Sequence, residues 1–194
     1  KDNRIEKDFF NIGFPYKQPG SDKIEGYEIR GYGSFKRKAT GTNSTTAAWI
    51  VDFSKNNNPQ DIKHVFFAES AYDIMAFYQA NKAKLQGELD KSVFVSIGGT
   101  FSNQQVAGIM NYYSHARAVD CFDIPGRIYG MRMVGVVEKV PLSINLHDKM
   151  IDVNYNGVTH ILDAETANLH SLRSIIPFKR EYGIEKAPAA FKDW

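Results

Sequence analysis

Apolar positions along the chain change pattern twice. Between residues 62 and 140, short apolar runs alternate with segments of helical spacing. "KHVFFAES" reads as a short buried strand. "AYDIMAFYQANKAKL" has apolar residues at 71, 74, 75, 77, 78 and 85, the spacing of a helix packed on a sheet. "SVFVSIGG" reads as a second strand ending in two glycines, and "SNQQVAGIMNYYSHA" as a second helix. "RAVDCFD" reads as a third strand and "GRIYGMRMVGVVEKV" as a third helix. Nearly continuous apolar strands alternating with helices predict an α/β fold, with a mostly parallel sheet covered on both faces.

The flanking sections follow other rules. In residues 1–60, "EGYEIRGYGSF" and "AAWIVDF" read as strands separated by the polar loop "KRKATGTNSTT", and "KNNNPQD" (55–61) reads as a linker. In residues 141–194, "MIDVNY" and "VTHILD" flank Asn156-Gly157, a pair suited to a type I′ turn, which predicts a hairpin. "AETANLHSLRSI" reads as a short helix. "PFKREYGIEKAPAAFKDW", polar with two prolines, reads as a poorly ordered tail. The expected organisation is a β-rich segment over 1–60, an α/β core over 61–140, and a hairpin, helix and tail over 141–194.

Composition narrows the class. At 194 residues, 43% hydrophobic and 24% charged, the chain can bury a core of its own. No apolar run approaches the roughly 18 residues of a membrane span. The charged opening "KDNRIEKDFF" is not a secretion signal, so a cytoplasmic location without membrane contact is expected. The chain opens on Lys1, from which a fragment of a longer protein with further partner domains is expected. The single Cys121 excludes an internal disulfide and a thiolate cluster. A net charge of +2 means that any nucleic-acid affinity must come from a local patch. No P-loop is present, and no Gly-x-Gly-x-x-Gly follows a strand.

Candidate chemistry gathers at the strand ends. In an open α/β sheet, ligands sit beyond the carboxyl ends of the strands. Glu69 ends the first core strand, the Gly98-Gly99 turn ends the second, and Asp120 and Asp123 end the third. Carboxylates gathered there can hold Mg²⁺, with one left over to move a proton in phosphoryl transfer. Each residue also has a structural reading. "SAYD" fits a capping box with Ser70 as N-cap and Asp73 at the third position, and the helix dipole favours acids nearby. Asp120 and Asp123 also read as ordinary strand-end aspartates, and Gly98-Gly99 as a tight turn.

A second candidate lies at 27–38. "YEIRGYGSFKRK" sets Arg30, Lys36, Arg37 and Lys38 among Tyr27, Tyr32 and Phe35. Cations for phosphates and aromatic faces for bases suit single-stranded nucleic acid. A solvated edge strand gives the same pattern. Arg127 and Arg132, after the acidic motif, are further candidates for phosphate contact, with surface arginines on a helix as the alternative.

The order of the core motifs resembles the Toprim family, the catalytic domain shared by bacterial-type primases, topoisomerases and some nucleases. "FFAESAYDIMAF" is similar to its first motif, "VSIGGTFSNQQ" to the strand and glycine turn that follow, and "AVDCFDIPGR" to its Asp-x-Asp motif with a following Gly and Arg. The stretch over 11–53 is similar to the segment before this core in primase-like proteins of mobile genetic elements. The resemblance covers residues 11–138 or so. It implies a Toprim-like Rossmannoid core, with Glu69 as general acid or base at a phosphoryl centre and the Asp pair binding Mg²⁺. It further implies single-stranded or duplex DNA as partner. The spacing here is Asp120-x-x-Asp123, not Asp-x-Asp, so either Cys121 or Pro125 falls where an aspartate belongs. Three readings follow: a Mg²⁺-dependent primase- or topoisomerase-related enzyme, a catalytically degenerate DNA- or protein-binding module, or a flavodoxin- or receiver-like domain for a small phosphate ligand.

Overall fold

The computed structural model describes residues 10–56, 58–123 and 126–187. In chain order the first strands are β1 (Ile12–Pro15), β2 (Tyr27–Arg30), β3 (Lys36–Lys38) and β4 (Trp49–Asp52). The alternating section follows, with β5 (His64–Ala68), α1 (Ala71–Leu85), β6 (Ser92–Ser96), α2 (Asn103–Tyr112), β7 (Arg117–Asp120) and α3 (Arg127–Glu138). The last section holds β8 (Leu142–His147), β9 (Met150–Tyr155), β10 (Val158–Asp163), α4 (Leu169–Arg173) and β11 (Tyr182–Ile184).

The central sheet has the order β11-β7-β5-β6-β4, with β4 antiparallel to β6 and the other pairs parallel. Strand alternation sends Val65, Phe67, Val93, Val95 and Ala118 to one face, where they pack with α2 and α3. Phe66, Ala68, Phe94, Val119 and Cys121 go to the other face, under Ile74 and Phe77 of α1. The mixed α/β class and the two covered faces are as the apolar pattern predicts. Cys121 is fully buried, the environment of a small hydrophobe.

Helix α3 explains its own composition. Met133 and Val137 face the central sheet, while Met131 and Val134 face the three-stranded antiparallel sheet β10-β9-β8. A helix apolar on more than one side is a helix buried between two layers. The β9–β10 hairpin turns at Asn156 and Gly157, with φ of 49° and 78°, the two positive values that a type I′ turn requires.

Several elements depart from the sequence reading. Strand β1, paired antiparallel with β2, was not foreseen. "KRK" is not loop but strand β3, paired antiparallel with β2. Strand β8 was not foreseen; it turns into β9 through Asp148, at φ 51°, a conformation that Asp tolerates. The tail is ordered where β11 pairs with β7. Buried Glu138 holds that segment, its carboxylate accepting from the Lys179 and Arg180 amides and the Tyr182 hydroxyl. Finally, both edge strands of the central sheet, β4 and β11, come from the sections that flank the alternating one.

Chain order places the ligand edge. β5 leads through α1 to its neighbour β6, and β6 leads through α2 to β7 on the other side of β5. α1 covers one face of the sheet and α2 the other, so the loops after β5 and β6 diverge to opposite faces beyond their carboxyl ends.

Candidate nucleic-acid interface

The capping pattern at the end of β5 forms as its spacing predicts. Ser70 is the N-cap of α1: its Oγ accepts from the Asp73 amide at 3.3 Å and donates to Asp73 Oδ2 at 2.6 Å. Asp73 is thus absorbed by the helix start. Glu69 is not. Its backbone carbonyl accepts from the Gly99 amide at 2.8 Å, tying the β5 and β6 ends together. Its half-buried side chain has no hydrogen bond or ion pair among the described residues.

The N-terminal sheet β1-β2-β3 lies against this edge, held by a residue that sequence reasoning missed. Glu28 of β2 is buried, 3% exposed. Its Oε2 accepts from Ser96 Oγ at the end of β6 at 2.7 Å, and its Oε1 from the Ala71 amide in the first turn of α1 at 3.2 Å. The same carboxylate pairs with Arg30, at 2.8 Å to both Nε and Nη2. One side chain thus joins the added sheet to a strand end, a helix start and an arginine. Tyr16 completes the seam: fully buried, its hydroxyl abuts Gly98 and has no hydrogen-bond partner among the described residues. Burial, with Glu28 adding to it, pushes that phenol far above its ordinary range. Gly98 has φ 67° and no room for a side chain, since a Cβ would lie 1.8 Å from the Tyr16 hydroxyl.

Between the two layers lies a cleft of about 210 Å³. Arg30, Lys36, Arg37 and Lys38 line one side, and Glu69 with Gly98 and Gly99 line the other. The two candidates read separately from the sequence, the basic strip and the Glu69–glycine edge, share one cavity. Four cations face two carboxylates, of which Glu28 is already paired with Arg30. The excess charge is positive. Lys36 and Arg37 are exposed, whereas Lys38 is half-buried with its stem against Gly98. Burial pushes the Lys38 ammonium below its usual range and Glu28 pulls it back up. A bound anion would favour its charged form further.

The other predicted residues lie elsewhere. Asp120 is 7% exposed and does not line this cleft. Its Oδ1 accepts from the Phe122 amide at 2.9 Å, and its Oδ2 lies so close to α3 that a Cβ on Gly130 would sit 1.9 Å away. Asp123 is half-buried and accepts from the Gly126 amide at 2.6 Å, closing the turn into α3. Pro125 lies outside the described residues. Arg127 donates to the carbonyls of Ala164 and Ala167, bracing α3 against the loop before α4. Arg132 stacks on Phe101, 4.9 Å from its centroid, and faces a groove between α2, α3 and β8. Among the described residues no three His, Cys, Asp or Glu side chains form a group able to hold a metal ion, and no helix is long and apolar enough to cross a membrane.

No family model, curated protein or solved structure matches the chain. Function therefore rests on the chemistry of the cleft.

Asp120 also sets a pH dependence. Burial pushes its carboxyl up to about 7; the Phe122 amide and Lys186 oppose the rise, and Asp123 adds to it. Between about pH 4 and pH 7 the folded chain keeps a proton that the unfolded chain has released. This contribution to stability is complete below the ordinary carboxyl range and is lost as pH rises through about 7. Urea midpoints in EDTA at about pH 5 and pH 8 should differ more in the wild type than in Asp120→Asn. Equal differences in the two would place the titrating group elsewhere.

Proposed function

We propose that this chain is a Toprim-like domain of a DNA-processing protein, primase- or topoisomerase-related, and that the cleft beneath the N-terminal sheet holds nucleic-acid phosphates. One observation carries the reading. The carboxylate of Glu69, unpartnered among the described residues, shares a cavity with Arg30, Lys36, Arg37 and Lys38, at the sheet edge where α/β folds bind ligands. Phosphate binding needs a local excess of cations on a chain of near-neutral net charge, and the cleft supplies it.

Binding rather than catalysis is the reading that the acidic residues favour. Asp120 does not fit a metal-ligand role as placed: its carboxylate is buried against Gly130 and held by the Phe122 amide. A Mg²⁺ ion bound with substrate phosphates needs only one or two protein carboxylates, and of the implied set Glu69 lines the cleft while Asp123, closing the turn into α3, does not. The ion would supply charge neutralisation at the transferring phosphate. Glu69 could move a proton there, being the cleft carboxylate that Arg30 does not pair.

Glu69→Gln separates the two readings. In a binding module, a carboxylate facing phosphates only repels them, so the variant should bind an oligonucleotide several-fold more tightly in EDTA. In an enzyme, the variant should abolish Mg²⁺- or Mn²⁺-dependent primer synthesis or nicking that the wild type performs. Unchanged affinity together with unchanged activity would remove Glu69 from both roles.

A further inference from the structure

Two aromatic rings each lie beneath an arginine that lines the cleft. The Arg30 guanidinium lies 5.4 Å from the Tyr72 ring centroid, and that of Arg37 lies 5.5 Å from the Phe35 centroid. Both rings are open to solvent, at 43% for Tyr72 and 42% for Phe35. Tyr72 occupies the first turn of α1, three residues after Glu69, and α1 fills the core with Ala71, Ile74, Phe77 and Leu85 instead. Its contact with Phe14 is edge-on, at 5.8 Å and 89°. The Arg30–Tyr72 pair is preformed, because Glu28 fixes the guanidinium through both Nε and Nη2.

We propose that Tyr72 and Phe35 are base-stacking positions, which make the cleft select an unpaired strand over a duplex. The inference rests on the reading of the cleft as a phosphate site and adds what lies beside the phosphates. Within a duplex the base faces are covered by their neighbours, and exposing one costs unstacking. In an unpaired strand they are free to lie on an aromatic ring while the backbone follows the cations. The exposed Arg37 adds its own planar face beside Phe35, while Arg30, paired with Glu28, holds its place over the Tyr72 ring. Tyr72 is the stronger position, since its arginine is held in place.

The test compares three fluorescent ligands of equal length on the full chain at low salt: an oligothymidylate, a duplex, and an abasic backbone of the same charge. The oligothymidylate should bind about tenfold more tightly than the abasic backbone, and more tightly than the duplex. Tyr72→Leu should lose most of that advantage while leaving abasic affinity and salt slope unchanged, and Tyr72→Phe should keep it. Unchanged abasic affinity also reports that the variant folds. If oligothymidylate and abasic backbone bind alike and Tyr72→Leu is neutral, stacking is refuted while phosphate binding stands. If none of the three ligands binds, the phosphate reading fails and this inference fails with it.

Discussion

Replacing Lys36, Arg37 and Lys38 together with alanine should weaken binding to a single strand by two or more orders of magnitude at low salt and flatten its salt dependence by about two units. Each phosphate neutralised on a single strand contributes about 0.7 to the slope of log K against log salt, so three cations account for about two. The three residues form strand β3 and line the cleft. As an edge strand, β3 is held by backbone pairing with β2, which alanine preserves. The variant should therefore fold, and circular dichroism checks this. Weaker affinity with an unchanged slope would mean that the three cations act without touching phosphate. An unchanged affinity would remove the strip from the interface.

The largest effect on stability should come from Glu28→Ala. The Glu28 side chain is 4% exposed and that of its partner Arg30 is 14% exposed. Removing one member of a buried pair leaves the other without compensation, at a cost of about 3–5 kcal/mol. The substitution also strips the Ser96 hydroxyl and the Ala71 amide of their acceptor. Urea unfolding should show a fall in midpoint that, multiplied by an unchanged slope, gives a loss of that size. Glu28→Gln keeps an acceptor oxygen for Ser96 and Ala71 and should recover part of the loss. A fall below about 1 kcal/mol for the alanine variant would mean that Glu28 does not hold the N-terminal sheet to the core.

The repeating part of the fold is legible because the code there is local. The 71–85 segment has its start fixed by Ser70 and its face by Ile74 and Phe77, all within four turns of chain. The parallel strands announce themselves by being apolar on both faces. What escapes is long-range or short. Glu28 looks like any polar residue of an edge strand, since its partners Ala71 and Ser96 lie 43 and 68 residues away. Strands β3 and β11 each have three residues, too few to display a period.

The candidate site shows the same division. Glu69 stands out because capping explains Asp73 and leaves Glu69 over. The burial of Asp120 had a signal within reach. Residues 118, 120 and 122 share a strand face, and Ala118 and Phe122 belong to the core under α2 and α3. That the basic strip and Glu69 share a cavity had none, because it depends on how one sheet leans on another.

The central claim is that nucleic-acid phosphates enter between β3 and the Gly98-Gly99 turn. The most direct measurement is a ¹⁵N–¹H spectral titration of the chain with an oligothymidylate at low salt. The amides of Gly98, Gly99, Arg37 and Lys38 should shift together and saturate together, with Asn145 and Lys139 across the molecule unmoved. Shifts confined to the groove lined by Arg132, Lys139 and Asn145, or no shifts at all, would contradict it.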